Sequence, residues 1–153
     1  MNSLFTCFFI IFFGVLSAQE TLIFDSIHYP LKTPIILSGT FGEIRSNHFH
    51  AGIDIKTGGI QGEAVYSIDD GYVSRVKVSE MGLGKAIYIN HPNGITSVYA
   101  HLKNFNRAIT EYVKSMQYKN QTFEIDLYPN PNRITLEKGD FIAYSGNSGS
   151  SEG

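Results

Sequence analysis

KAIYINHPNGITSVYAHL, residues 85–102, is two β-type runs joined by a turn. β-Branched and aromatic residues crowd both runs, which suits a pleated, half-buried surface. Pro92-Asn93-Gly94 lies between them. Asn-Gly is a strong hairpin signal, because glycine takes a positive φ without steric cost. The runs 85–91 and 94–102 are therefore expected as adjacent antiparallel strands. The same texture extends outward through AVYSI (64–68), GYVSRVKV (71–78), TFEIDLY (122–128) and DFIAYSG (140–146), with Asp69-Asp70-Gly71 as a further turn. Turn signals recur at roughly the 8–12-residue spacing of a sandwich or barrel-like sheet, not of βαβ units. The expected fold is mainly β and antiparallel.

One segment departs from this period. NRAITEYVKSMQYKN (106–120) places Ile109, Tyr112, Val113 and Met116 at i, i+3, i+4 and i+7, which predicts an amphipathic helix. Asn106 is its N-cap candidate. The helix, within an insertion of about 104–121, is expected to cover a sheet edge or face.

The first residues read differently. MNSLFTCFFIIFFGVLSAQE carries an apolar run from Leu4 to Leu16, then Ser17-Ala18. The run is shorter than the ~20 residues a bilayer span needs, and small residues follow it as at a cleavage site. Residues 1–18 are expected to be a secretory signal peptide, although no Lys or Arg precedes the run. Residues 19–35 are a lead-in, and 36–153 the folded domain. Cys7 is the single cysteine and leaves with the leader, so the mature chain has no thiolate. Zinc would have to be held by His, Asp or Glu. The formal charge of −2 comes with no basic stripe, so no nucleic-acid partner is expected. Nothing after residue 18 is apolar for long enough to enter a membrane.

HFHAGID (48–54) is the densest ligand cluster. Ile53 and Ile55 favour an extended chain and Gly52 disfavours a helix. A flat strand would hold the Cα atoms of His50 and Asp54 ~13 Å apart, too far to share one ion. Gly52 permits the bend that would let them converge. His48 falls on the face of His50 by alternation, as a rival ligand or a supporting group. In SVYAHL (97–102), alternation groups Ser97, Tyr99 and His101 opposite Val98, Ala100 and Leu102. That places His101 away from the apolar layer, as an ordinary surface histidine on this reading alone. His28 and His91 read as structural. No Ser/His/Asp arrangement is visible, and GLGKA (82–86) lacks phosphate-loop spacing.

Four segments in order, SGTFGEIRSNHFHAGIDIKT (38–57), GEAVYSIDDGYVSRV (62–76), GLGKAIYINHPNGITSVYAHL (82–102) and LEKGDFIAYSGNSGSSEG (136–153), resemble the lysostaphin/LytM-type zinc endopeptidases. The resemblance implies a barrel-sandwich-hybrid-like antiparallel sheet, with the helix as an insertion. It implies an exported enzyme, periplasmic or extracellular, that hydrolyses peptide cross-links of bacterial peptidoglycan. In the H-x-x-x-D pattern, His50 and Asp54 become ligands of Zn2+. In Tyr99-Ala100-His101-Leu102, His101 becomes the catalytic histidine, which reverses the surface reading. His48, Arg45 and Tyr99 are candidates for supporting the ligands or touching the substrate.

The family's H-x-H pair, which brings the third ligand, has no counterpart after His101, and no tyrosine occurs between Pro30 and Phe49. The chain is accordingly expected to be a fragment of a longer product, inactive by itself. The rival reading is a non-catalytic LytM-like module that binds cell wall or regulates another wall hydrolase, with a protein partner in wall remodelling. A biotinyl- or lipoyl-type carrier is disfavoured, because no exposed M-K-M turn is present.

Overall fold

The structure is a computed structural model that describes residues 27–46 and 48–151. The leader assigned to residues 1–18 lies outside the described residues. Among the described residues, ten strands and one helix follow in the order β1 (Leu37–Gly39), β2 (Asp54–Ile55), β3 (Ala64–Tyr66), β4 (Gly71–Val78), β5 (Ala86–Asn90), β6 (Thr96–Tyr99), β7 (Asn104–Phe105), α1 (Arg107–Asn120), β8 (Ile125–Leu127), β9 (Thr135–Leu136) and β10 (Phe141–Tyr144). They form three antiparallel sheets. One is β1-β2, one is β3-β10-β7, and the largest is β6-β5-β4-β8 with β9 also paired to β4. The mainly β, sandwich-like antiparallel architecture matches the expectation, without a closed barrel.

The β5–β6 hairpin forms as its turn residues require. Gly94 has φ +80°, its N–H donates to the His91 carbonyl, and Asn93 Oδ1 accepts from the Ile95 N–H. Helix α1 is capped where the sequence places the cap. Asn106 Oδ1 accepts from the Ile109 N–H at 3.0 Å, satisfying one of the orphan donors of the first turn. Ile109 and Val113 are buried, and Tyr112 and Met116 pack beside them.

The core lies between the sheets and α1. Val73, Val76, Ile87, Ile89, Ile109 and Ile142 are fully buried. Val73 and Val76 are three apart, yet both point inward. A register shift between Val73 and Arg75 supplies the extra residue, and an odd spacing on one face is what a β-bulge produces.

The bulge turns Arg75 outward onto β8. Its Nε and Nη2 donate to the two carboxylate oxygens of Asp126 at 2.7 and 2.5 Å, and its guanidinium stacks on Tyr88 and Tyr128. The hydrogen bonds from Arg75 hold the Asp126 carboxyl below its ordinary value. A carboxylate pKa depressed in the folded state adds stability above its unfolded pKa, and that stability is lost as pH falls through the folded value. Asp126→Asn is expected to cost under about 1 kcal/mol near neutral pH, since the pair is solvent-screened. The variant is also expected to flatten the loss of stability below about pH 4. Urea midpoints across pH 2–7 check both.

Alternation misleads on β6. Val98 is 49% exposed while Tyr99 is buried, so the inward set is Ser97 and Tyr99. The polar atoms of that face are satisfied internally. The Tyr99 hydroxyl accepts from the Ile68 N–H at 2.9 Å, and Ser97 Oγ donates to His91 Nε2 at 2.8 Å. Burial raises the Tyr99 phenol above its ordinary pKa. A hydroxyl with a backbone partner enters a core at little cost.

Candidate metal half-site

The residues around HFHAGID fold into a small hairpin beside β1 and β2. Ile44 and Phe49 form an isolated bridge. The His50 N–H donates to the Glu43 carbonyl, and the Gly42 N–H to the His50 carbonyl. The chain bends at Gly52 and enters β2, where Asp54 pairs with Gly39 of β1. The bend brings His50 Nε2 to 3.2 Å from Asp54 Oδ1.

The polarity of that contact is decided by the other ring nitrogen. His50 Nδ1 lies between the Thr40 carbonyl at 3.1 Å, which can only accept, and Arg45 Nη2 at 3.4 Å, which can only donate; the shorter contact puts the proton on Nδ1. In the neutral ring Nε2 is then a lone-pair nitrogen, and it faces a carboxylate oxygen. In that tautomer two acceptors face each other, an arrangement that a metal ion between them would satisfy; in the other, Nε2–H donates to Oδ1. The distance suits zinc, since bonds of ~2.0–2.1 Å at a tetrahedral angle put two ligand atoms about 3.3 Å apart. The Thr40 carbonyl holds the ring from behind as outer partners of metal-bound imidazoles do.

Arg45 is turned onto the same carboxylate. Its Nη2 donates to Asp54 Oδ2 at 2.7 Å and reaches Glu43 Oε2 at 3.5 Å. This engages Oδ2 and leaves Oδ1 facing His50 Nε2. Gly39 makes the arrangement sterically feasible, because a Cβ there would collide with Asp54 Oδ2 and Arg45 Nη2. Gly39, Thr40 and Glu43 are the contributors that sequence reasoning missed. A glycine inside a strand next to a ligand motif signals close approach, so Gly39 was findable. Nothing in sequence marks Thr40, which acts through its main chain.

His48 is exposed in the turn of the hairpin, where its carbonyl accepts from the Arg45 N–H. Tyr99 is a core residue, and its hydroxyl is committed to the Ile68 backbone. His91 and His28 are structural, as expected. His91 is buried with both ring nitrogens used, Nδ1 donating to the Asp70 carbonyl at 2.7 Å. His28 packs against Tyr66.

His101 occupies a corner of the fold. The His101 N–H donates to the Leu83 carbonyl and Leu102 N–H to that of Lys85, both beside β5. Lys103 N–H then donates to the Tyr144 carbonyl of β10. The chain thus crosses from the largest sheet to the three-stranded one at His101. Its φ is +55°, a left-handed conformation that costs a non-glycine residue roughly 1–2 kcal/mol. Such strain persists where surrounding contacts over-determine it, often at functional positions. His101 Nδ1 donates to the Ser148 carbonyl at 2.8 Å, which leaves Nε2 as the acceptor nitrogen of the neutral ring.

Among the described residues, no group of three or more His, Cys, Asp or Glu is placed to hold a metal ion. His50 and Asp54 therefore fit zinc as two ligands of a set that needs a third. A shallow groove of about 440 Å³, lined by Tyr112, Tyr128, Asn130 and Arg133 among others, includes none of the histidines. Among the described residues, no helix is long and apolar enough to cross a membrane.

The model of Peptidase family M23 matches residues 48–118, from His48 through most of α1. No curated protein matches the chain.

Proposed function

We propose, from the match of residues 48–118 to the model of Peptidase family M23, that the chain belongs to an exported zinc endopeptidase that cleaves peptide cross-links of peptidoglycan. The observation that carries this reading is the 3.2 Å approach of His50 Nε2 to Asp54 Oδ1, with Nδ1 of the same ring tied to Thr40. A leader at residues 1–18 is part of this reading, and so is a third zinc ligand beyond His50 and Asp54.

Zinc, when bound, supplies Lewis acidity and lowers the pKa of bound water. The chain's own residues do the rest. Thr40 fixes the ring of His50, and Arg45 fixes the carboxylate of Asp54. His101 has its proton on Nδ1 and an open Nε2, so it can accept a proton at Nε2 and return it to a leaving amine. Phe41, Ile44, Phe49 and Ile53 are exposed on the same loop, and offer apolar surface to a peptide stem. Arg45 is a positioning residue for Asp54 in this reading, not a substrate contact.

A second reading is a non-catalytic module that binds cell wall or a wall hydrolase. It is favoured by the two-ligand count among the described residues. Incubating the full-length protein with purified peptidoglycan separates the two. The first reading expects new amino groups to be released, the release to stop with chelator and to return with zinc. Peptidoglycan that is bound but releases none under either condition contradicts it.

A further inference from the structure

The strap after β10, residues 145–151, is not a passive loop. It lies backbone to backbone against the 82–84 turn. A Cβ at Gly84 would strike Ser148 and Gly149, and one at Gly149 would strike Gly82 and Gly84. Ser148 sits at the centre of the contact. Its Oγ accepts from the Lys85 N–H at 2.9 Å and donates to the Leu102 carbonyl at 2.8 Å. Its carbonyl accepts from His101 Nδ1 at 2.8 Å, and its N–H lies 3.4 Å from the His101 carbonyl. One serine therefore ties the residue before β5, the residue after His101 and the His101 ring itself.

We infer that Ser148 is a positioning residue for His101, which sets the tautomer and orientation of its ring. A free histidine side chain in water favours the proton on Nε2. The Ser148 carbonyl demands it on Nδ1, since a carbonyl cannot donate. The two hydroxyl bonds fix where that carbonyl sits. Without them, the strap keeps its carbonyl but loses the anchors that aim it. Ser148 also helps to hold the left-handed turn at His101. The consequence for chemistry, an Nε2 kept free to take a proton, rests on the proposed role of His101; the tautomer itself does not.

The test is 15N-histidine NMR on the full chain, read at a pH where imidazole is neutral, without zinc or substrate. Wild-type His101 is expected to carry its proton on Nδ1, with His91 as an internal reference for the same tautomer. Ser148→Ala is expected to lower the Nδ1:Nε2 proton ratio of His101 by about tenfold, the equivalent of one hydrogen bond. Ser148→Thr keeps the hydroxyl and is expected to restore the ratio. Ser150→Ala removes the hydroxyl that accepts from the Gly82 N–H in the same strap, and is expected to leave the ratio unchanged. Should Ser148→Ala not fold, Ser148→Cys replaces it, and the same fall is expected from its weaker thiol. A wild-type His101 protonated on Nε2 would overturn the assignment. So would an unchanged ratio in the folded Ser148 variant, or an equal fall in Ser150→Ala. Because no zinc is present, failure of the metal reading leaves this result untouched.

Discussion

His50→Ala and Asp54→Ala are each expected to abolish zinc retention by the full-length protein. Loss of an outer partner of a metal ligand weakens binding by roughly 10–100-fold, so loss of a ligand itself must exceed that. His50→Ala removes the one nitrogen whose lone pair is presented by the Thr40 contact. Asp54→Ala removes the oxygen 3.2 Å from it and leaves the Arg45 guanidinium close to His50 Nδ1, at 3.4 Å. A cation beside a ligand ring opposes a second cation, so the aspartate variant is expected to be the worse of the two. Equilibrium dialysis with zinc measures both. Retention of one zinc per chain in either variant would remove that residue from the ligand set. His48→Ala is the matched control within the same hairpin and is expected to keep zinc.

His101→Ala is expected to separate binding from turnover. A positioned general acid–base contributes typically 10²–10⁴-fold, and the cross-link hydrolysis rate of the full-length protein should fall by that order. Zinc content should not change, because the His101 ring is bound to the strap at Ser148 and not to His50 or Asp54. The contrast with the first prediction is the informative part. Equal loss of zinc in all three variants would make His101 a ligand. Wild-type turnover in His101→Ala would leave it with only the structural task of turning the corner between two sheets.

Local chemistry made much of the fold legible. Asn93-Gly94 fixed a hairpin, and Asn106 followed by a 3.6-period apolar face fixed a helix to within a residue of its observed start. Those signals act over a few positions and need no tertiary context. Alternation grouped Ser97 with Tyr99 on β6, but which face is buried there is decided by partners distant in sequence. Tyr99 is drawn inward by the Ile68 N–H, and Val98 is left at the surface. On β4 a bulge breaks alternation and puts Val73 and Val76 on one side.

The site divides the same way. The bend at Gly52 that joins His50 to Asp54 is local, and glycine announced it. Gly39 and Thr40 reach the site through the pairing of β1 with β2, which short two- and three-residue strands do not advertise. Ser148 reaches His101 across two sheets. The target of the segment after β10 is set by packing that no spacing encodes.

X-ray absorption at the zinc edge, on the full-length protein loaded with one equivalent of zinc, tests the central claim most directly. A shell of nitrogen and oxygen only is predicted, at ~2.0–2.1 Å, with imidazole scattering that diminishes in His50→Ala. A zinc–sulfur path, or imidazole scattering unchanged in that variant, would contradict the half-site at His50 and Asp54.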